Sequence, residues 1–285
     1  MRSSVVNIEI LPSIDSTNSE IKRRAQKAKL EHEFVLMARE QTHGRGRGER
    51  TWNCRSGESL AASYWIELSN EEGGGLKWAS SLPLIVGLAM VKAAQKRLIS
   101  LGRSEEELGK VGLKWPNDVL VKDQGKLAGI LCELVHNRLN FGVIAGIGVN
   151  LQDSEGALHN LPRPAAVWSE VFQDNWTAQE VCEDIGCELF SLVKCLAADG
   201  FTTLAGEWYE HCLHKGLDTA VRVGLAPKDS DFETGSVYFG DKALGVPISQ
   251  GLKVGKTVGL GEHGELLLRS SEGKIVTVTI GDVSF

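Results

Sequence analysis

The order of apolar and polar residues predicts several strands and helices up to His214. The predicted strands cover residues 5–10, 33–38, 58–68, 111–121 with a sharp turn in its middle, 126–135 and 138–151. A helix is predicted to begin near residue 17, from a capping box at Thr17 and Glu20. After a turn at glycines 73–75, further helices are predicted over 78–100, 178–198 and 201–214, and Pro83 should lie in the first turn of its helix or at a kink. Because strands and helices do not alternate regularly, the pattern favours an α+β fold with a mixed sheet and helices mainly on one side, not a doubly wound sheet.

After His214 the pattern changes to short β-rich runs separated by glycine-containing turns. These runs lie at residues 219–227, 233–240, 256–270 and 273–285. Short strands with turn signals at such intervals predict a small closed or nearly closed β-barrel. We therefore predict two domains, residues 1–214 and residues 215–285.

The chain is acidic overall but basic in one place. Its 285 residues carry a formal net charge of −6, whereas arginines crowd the stretch between Arg39 and Arg55. Proteins that bind long nucleic acids usually have a basic face, so this local positive charge indicates a small anionic ligand. The six cysteines form no CxxC pair, the first residues lack an apolar run long enough for a signal peptide, and no stretch approaches membrane-spanning length. These features predict a cytoplasmic protein with reduced thiols.

The arginines cluster in the loop QTHGRGRGERTWNC, residues 41–54. Its glycines permit tight turns and close approach of a ligand, and Arg45 and Arg47 can each give bidentate hydrogen bonds to an anion. The spacing matches neither a Walker loop nor the GxGxxG of dinucleotide-binding folds. A solvated basic loop and an arginine–glycine segment that binds RNA stay open as alternatives at this point.

A second motif, KWPNDVLVKDQGKLAGI, begins at Lys114. A turn at Pro116 and Asn117 should bring Lys114 and Asp118 close together. Lys126 begins the following strand, and a lysine beside an apolar strand can deliver its ammonium group into a closed site as a point charge. We therefore expect Lys126 to act in a site and the neighbouring polar hairpin to be exposed.

Two shorter motifs and one histidine segment complete the candidate chemistry. In GIGVNL, residues 146–151, glycines within a strand indicate that another group approaches closely. In STN, residues 16–18, a helix N-terminus offers donors to an anion or a polar group. The HCLH segment, residues 211–214, lacks a second Cys/His pair at zinc spacing, so no fixed structural metal site is predicted.

Together and in this order, these motifs and the terminal barrel resemble the biotin protein ligases, over essentially the whole chain. The resemblance implies a catalytic domain related to class II aminoacyl-tRNA synthetases, followed by an SH3-like barrel. It implies that biotin and ATP, with Mg²⁺, react to biotinyl-5′-AMP and pyrophosphate. The biotinyl group would then pass to one lysine of a biotin carboxyl carrier domain of a biotin-dependent carboxylase.

The resemblance also implies the residues of the site. Lys126 would act at the biotin carboxylate and the α-phosphate of ATP, and Arg47 would retain the adenylate. Biotin would be bound by Ser16, Thr17, Asn18, Gln41, Arg45, Gly46, Arg47, Lys126 and Gly129. ATP and Mg²⁺ would be bordered by Trp52, Asn117, Asp118 and Asn150.

The chain departs from the family pattern in two places. Glu49 lowers the charge of a loop in which many relatives have an additional basic residue, and residues 226–251 form a longer entry to the barrel. Since the first catalytic strand is predicted from about residue 5, we expect no winged helix-turn-helix and no sequence-specific DNA binding, while a homodimer stays open. Lipoate–protein ligase shares the fold and the adenylation chemistry, but would not be expected to carry this motif set.

Overall fold

A computed structural model describes residues 6–48, 50–68, 78–161, 163–223 and 251–285, together with two short strands between the last two ranges. The elements of the first part are β1 Ile8–Leu11, α1 Thr17–Lys27, β2 Val35–Ala38, β3 Ser59–Glu67, α2 Leu82–Ser100, α3 Glu105–Leu108, β4 Val111–Lys114, β5 Asp118–Val121, β6 Gly125–His136, β7 Phe141–Asn150, a 3-10 turn Leu158–Asn160, α4 Trp168–Phe172, α5 Ala178–Asp199 and α6 Thr202–Glu210. They are followed by β8 Asp218–Arg222, β9 Tyr238–Phe239, β10 Lys242–Ala243, β11 Leu252–Leu260, β12 Leu266–Arg269, β13 Ile275–Val278 and β14 Asp282–Ser284.

The first part is built around a seven-stranded mixed sheet in the order β1-β2-β3-β7-β6-β5-β4. Only β1 and β2 run parallel, and the other neighbours are antiparallel. Strands β2, β3 and β7 are buried along almost their whole length, because both faces of the sheet are covered there. Helices α2 and α5 pack together over one face, whereas α1 covers part of the other through Ile21 and Ala25 against Trp65 and Ile144.

The predicted α+β class is confirmed, and most predicted elements of the first part are present within a few residues of their predicted bounds. Pro83 lies in the first turn of α2, the first of the two places expected for it. The capping prediction was one residue wrong, because Ser16 is the N-cap of α1 and the Thr17 hydroxyl bonds Gln41 instead. Glu20 pairs with Arg23 and Arg24 and takes no part in a capping box.

The helix predicted over residues 201–214 ends earlier, at Glu210. Beyond it the chain follows the edge strand β4, where Leu113 donates its N–H to His211 and accepts one from Leu213, at 2.8 and 3.0 Å. Hydrogen bonds to a sheet edge thus replace the last helical turn, a tertiary effect that local periodicity does not contain.

The second part contains a five-stranded antiparallel sheet in the order β13-β12-β11-β8-β14. Its strand β8 pairs with both β11 and the C-terminal strand β14, as expected where a short sheet curls toward closure. The sheet is consistent with the predicted SH3-like barrel. The division at residues 214 and 215 stays a prediction.

Three features of the sequence analysis lie outside the described residues: the turn at glycines 73–75, Glu49, and nearly all of residues 226–251. Among the helices that are described, none combines the length and the apolar character needed to cross a lipid bilayer.

Candidate active site

A pocket opens on the face of the mixed sheet that carries α1, between the start of that helix, the glycine–arginine loop and strands β6 and β7. Most of the predicted site residues meet there. The lining residues are Ser16, Thr17, Asn18, Gln41, Arg45, Gly46, Arg47, Arg50, Thr51, Trp52, Ala62, Asn117, Lys126, Gly129, Ile130, Leu131, Gly146, Ile147 and Gly148.

At one end of the pocket, polar side chains at the start of α1 form a buried network. The backbone N–H and the hydroxyl of Thr17 both donate to Gln41 Oε1, at 2.8 and 3.1 Å. Ser63 Oγ on β3 lies 2.7 Å from Thr17 Oγ1 and 2.5 Å from Asn18 Oδ1. Asn18 also donates from Nδ2 to the carbonyl of Leu131, at 3.1 Å. This end therefore presents fixed, uncharged donors and acceptors.

Glycines in β6 and β7 make room for this network and for Trp52. A Cβ atom at Gly146 would lie 2.3 Å from Asn18 Oδ1, and one at Gly148 would lie 2.2 Å from the Trp52 ring. A Cβ at Gly129 would lie 3.2 Å from the same ring. The expectation that another group approaches the strand glycines of GIGVNL is confirmed, because only a residue without a side chain leaves the space that these contacts need.

The glycine–arginine loop folds back over the other end of the pocket. Gly46 N–H donates to the carbonyl of Arg50 at 2.7 Å, and Trp52 N–H donates to that of Gly44 at 3.0 Å. Gly44 is required there, since a Cβ atom would lie 2.1 Å from Trp52 O. The hairpin directs its arginines inward, where acceptors from distant parts of the chain meet them.

The loop arginines meet acceptors on several different elements of the chain. Arg45 pairs with Glu133 on β6 at 2.5 Å, and Glu133 also accepts a 2.9 Å hydrogen bond from Asn18 Nδ2. Arg47 Nη1 donates to Asn117 Oδ1 at 2.9 Å. The sequence analysis missed Glu133, although it lies two and four residues beyond Leu131 and Gly129 and so points to the same face of β6.

Lys126 lies where the cationic end meets the wall of the pocket. Its Nζ is 2.7 Å from Asp118 Oδ1 and 5.7 Å from the centroid of the Trp52 ring. Lys114 and Asp118 are direct register partners across the sharp turn, as predicted. Burial lowers the pKa of Lys114, with further lowering by Arg163 and Lys126, while Asp118 and Asp282 oppose the shift.

Two predicted residues do not line the pocket. Asp118 reaches it only through its ion pair with Lys126. Asn150 is buried, and its Nδ2 donates to the carbonyls of Lys126 and Ala166 at 3.1 and 3.2 Å. Asn150 thus holds the backbone that carries Lys126, and its predicted role beside ATP stays a prediction, as do the other roles assigned to individual residues.

A carboxylate that could bind the Mg²⁺ ion of an ATP molecule lies beside the cationic end of the pocket. Mg²⁺ keeps several waters and needs only one or two carboxylates in addition to phosphate oxygens, and Asp118 meets that requirement. Elsewhere in the described chain, Asp153, His159 and Glu170 lie close together on the surface. There His159 pairs with Glu170 at 3.0 Å, and Asp153 accepts the N–H groups of the 3-10 turn.

Comparisons with known proteins agree with this geometry. The sequence model of the biotin/lipoate A/B protein ligase family matches residues 10–150. A biotin--[acetyl-CoA-carboxylase] ligase from Paracoccus denitrificans is 30% identical over 229 residues, which cover 79% of this chain and 88% of the relative. This chain belongs to the biotin/lipoate protein ligase family.

Other members of the ligase family match over different lengths. The ligase of the same name from Mycobacterium tuberculosis is 33% identical over 144 residues, 50% of this chain and 49% of the relative, so that alignment spans about half of each protein. The solved structure of a biotin protein ligase from Aquifex aeolicus in complex with biotin and ATP has a TM-score of 0.71 and 24% identity, and covers 98% of this chain and 97% of that one. At this identity the structural match supports the ligase fold.

Proposed function

We propose that this ligase activates biotin with ATP and transfers it to a lysine of a biotin carboxyl carrier domain. A biotin carboxylate oxygen attacks the α-phosphorus, the bond to the bridging oxygen breaks, and pyrophosphate leaves. The uncharged lysine amine of the carrier then attacks the carbonyl carbon of biotinyl-5′-AMP, and AMP leaves as an amide forms. No covalent enzyme intermediate is needed.

One observation carries the proposal: a single pocket joins a neutral, buried hydrogen-bonding end to a cationic end. The ureido ring of biotin is uncharged and has both donors and a carbonyl acceptor, which suits Thr17, Asn18 and Gln41. The carboxylate and the phosphates are anions whose mutual repulsion must be offset, which suits Arg47 and Lys126. The names of the related ligases support the same choice of biotin and of a carboxylase carrier.

Lys126 is the residue best suited to the chemical step. Asn150 and the pairing of β6 with β5 fix its backbone, so its ammonium group can act as a preorganised donor as charge develops at the α-phosphorus. Asp118, which pairs with Lys126 in the ligand-free protein, can instead bind the cation that accompanies the nucleotide. Mg²⁺, when bound with ATP, would neutralise phosphate charge.

Biotin-dependent exchange of ATP with labelled pyrophosphate tests the proposal. The protein is incubated with ATP, Mg²⁺ and either biotin or lipoate, and a carrier domain is added in a second assay to detect biotinylation. We expect exchange and carrier labelling with biotin alone. Exchange that depends on lipoate, or none with either acid, would show that the assignment of substrate is wrong.

The alternative of an RNA-binding loop is less well supported. Arg45, Arg47 and Arg50 turn toward acceptors in the protein, whereas an RNA-binding segment presents its cations outward. Sequence-specific DNA binding is also not expected. Gel shifts with biotin-operon promoter DNA, at physiological salt with and without biotin, check this expectation, and a specific biotin-dependent complex would contradict it.

A further inference from the structure

The C-terminal strand β14 brings one carboxylate to the glycine–arginine loop. Asp282 Oδ2 accepts a 2.5 Å hydrogen bond from Arg50 Nη2, and Asp282 Oδ1 lies 3.5 Å from Arg47 Nη1. The Asp282–Arg50 contact joins residues 232 positions apart in the chain. No motif predicted it, because it depends on how the two sheets meet.

The backbone around Asp282 is fixed by close packing. Asp282 pairs in register with Arg222 on β8, and a Cβ atom at Gly281 would lie only 2.4 Å from Arg222 O. Glycine at position 281 therefore lets β14 lie directly against β8. The carboxylate is thus presented from a sheet, an element that holds its position better than a loop does.

Asp282 is surrounded by positive charge. Its burial would raise the pKa of its carboxyl group, but the hydrogen bond from Arg50 and the charges of Arg50, Arg47 and Arg163 lower it below the usual value. The carboxyl group is therefore ionised at neutral pH. One carboxylate among several cations leaves net positive charge, which an anionic ligand can still use.

The two arginines are held unequally. Arg50 is in direct contact with Asp282, whereas Arg47 lies 3.5 Å from it and has its 2.9 Å hydrogen bond to the neutral side chain of Asn117. A phosphate group can replace Asn117 and Asp282 as the partner of Arg47 while the pair between Arg50 and Asp282 stays intact. Arg50 thus anchors the loop, and Arg47 is free to exchange.

The second sheet also supports the sharp turn that carries Asn117. Trp115 Nε1 donates to the carbonyl of Gly264 at 3.0 Å, and Trp115 N–H donates to His214 Nε2 at 3.2 Å. His214 in turn contacts Thr257 of β11. Contacts from the second sheet thus support both the turn that carries Asn117 and, through Asp282 and Arg50, the loop that carries Arg47.

We propose that Asp282 is a positioning residue of the catalytic site, whose carboxylate holds Arg50 and thereby keeps the loop folded over the cationic end with Arg47 at the pocket. The C-terminal sheet is then required for nucleotide binding without contacting the nucleotide through Asp282. The assignment of ATP as the ligand rests on the proposed function, but the anchoring of the loop does not.

Limited proteolysis of the ligand-free protein tests the anchor directly. Cleavage at Arg45 and Arg47 by trypsin is compared in the wild type, Asp282→Asn and Arg50→Gln. Loss of a partly exposed charged hydrogen bond is worth about 1 kcal/mol, so cleavage should be faster by roughly fivefold in both variants. Glu272→Gln is the matched control, since it removes a carboxylate that pairs with Lys274 in a turn of the same sheet.

Kinetics separate a positioning role from a loss of structure. Asp282→Asn should raise the KM for ATP severalfold in the pyrophosphate exchange assay, with a smaller change in kcat and an unchanged KM for biotin. The double variant Asp282→Asn, Arg50→Gln should be no worse than either single variant, because the two residues act as one pair.

The proposal would be overturned by wild-type cleavage of both single variants, by a KM for ATP that does not rise in Asp282→Asn, or by effects of the two substitutions that simply add. A rise in the KM for biotin equal to that for ATP would indicate a general structural defect and would also overturn it. If the Asp282 variant does not fold, Arg50→Gln reports on the same pair from the half-exposed loop side. Absence of exchange in the wild type would refute the proposed function alone, and proteolysis would still decide on the anchor.

Discussion

The two ends of the pocket are built on different physical principles. At the end formed by α1, the hydroxyl and amide groups of Ser16, Thr17, Asn18 and Ser63 are almost wholly buried, and Ser63 is hydrogen-bonded to both Thr17 and Asn18. At the end formed by the loop, half-exposed arginines pair with carboxylates from distant strands. The first end is neutral and closely packed, and the second is charged and open to exchange of partners.

This difference indicates what each end contributes. A buried polar group left without its partner costs about 1–3 kcal/mol, so the neutral end discriminates by shape and hydrogen-bond pattern. Ion pairs at a partly exposed site are worth less and are screened by salt, so a charged ligand can replace them at small cost. Recognition of an uncharged ring and stabilisation of a reacting phosphate are thereby separated within one pocket.

The largest effect is expected at Lys126, on the charged end. Lys126→Ala should lower biotin-dependent pyrophosphate exchange by roughly 10²–10³, the usual cost of removing one preorganised donor of the transition state. Biotin affinity, measured by calorimetry, should change little because the neutral end is untouched. Lys122→Ala, an exposed lysine of the same hairpin, is the control. Exchange at the wild-type rate would refute the role of Lys126.

Arg47 should matter more for retaining the adenylate than for making it. Arg47→Gly removes a charged hydrogen bond worth about 1.5–3 kcal/mol, so biotinyl-5′-AMP should be released roughly 10- to 100-fold faster. Released adenylate should label lysines of an added bystander protein such as albumin. Arg55→Gly alters an arginine outside the pocket that pairs with Glu155, and should not cause this labelling. Unchanged retention in Arg47→Gly would contradict the separation of the two roles.

The neutral end can be broken by a single methyl group. Gly146→Ala places a Cβ atom against Asn18 Oδ1, and forced packing of this kind costs about 1–3 kcal/mol, which corresponds to roughly a 5- to 100-fold loss of biotin affinity. The affinity for ATP should fall much less. Gly206→Ala on the exposed face of α6 meets no atom within 4 Å and should leave both affinities unchanged. Equal losses for biotin and ATP would show that the two ends are not independent.

Much of the site could be predicted because its motifs are local. The strand glycines and the turn at Asn117 each indicate an unusual backbone within a few residues. The STN segment in the same way indicates the N-cap of a helix. What sequence reasoning missed is held together over long distances: Glu133 meets Arg45 across 88 positions, and Asp282 meets Arg50 across 232. Such pairs depend on strand order and register, which local patterns do not fix.

The errors in local prediction have the same origin. Ser16 and Thr17 are both hydroxyl residues at the start of a helix, and local sequence favours Thr17 because an acid follows three residues later. The choice is made by Gln41, which takes both donors of Thr17 and leaves the cap to Ser16. Likewise α6 ends at Glu210 because the edge of β4 offers better partners to the next residues.

The smallest expected effect concerns the support beneath the charged end, where His214 is buried. Its Nε2 accepts the N–H of Trp115, so the proton of the neutral ring is on Nδ1, beside Thr257 Oγ1. Burial, together with the charge of Lys114, lowers the pKa of His214 from 6.5 to about 3. Protonation of this neutral ring would place the second proton on Nε2, where it would face the N–H donor of Trp115.

This shift fixes the sign of a pH dependence. Above pH 6.5 the imidazole is neutral in both the folded and the unfolded chain, and the free energy of unfolding does not depend on it. Below pH 6.5 the unfolded chain takes up a proton that the folded chain does not bind until about pH 3, so the free energy of unfolding falls by up to about 1.4 kcal/mol per pH unit.

His214→Gln keeps an acceptor for Trp115 but does not titrate, so its urea-unfolding free energy should fall less steeply between about pH 6.5 and 5. Burial also lowers the pKa of His211, but this shift is present in both the wild type and the variant, so it cancels when their pH slopes are compared. Parallel slopes in the wild type and the variant would mean that His214 is protonated in the fold, and that the support of the charged end does not depend on a neutral ring.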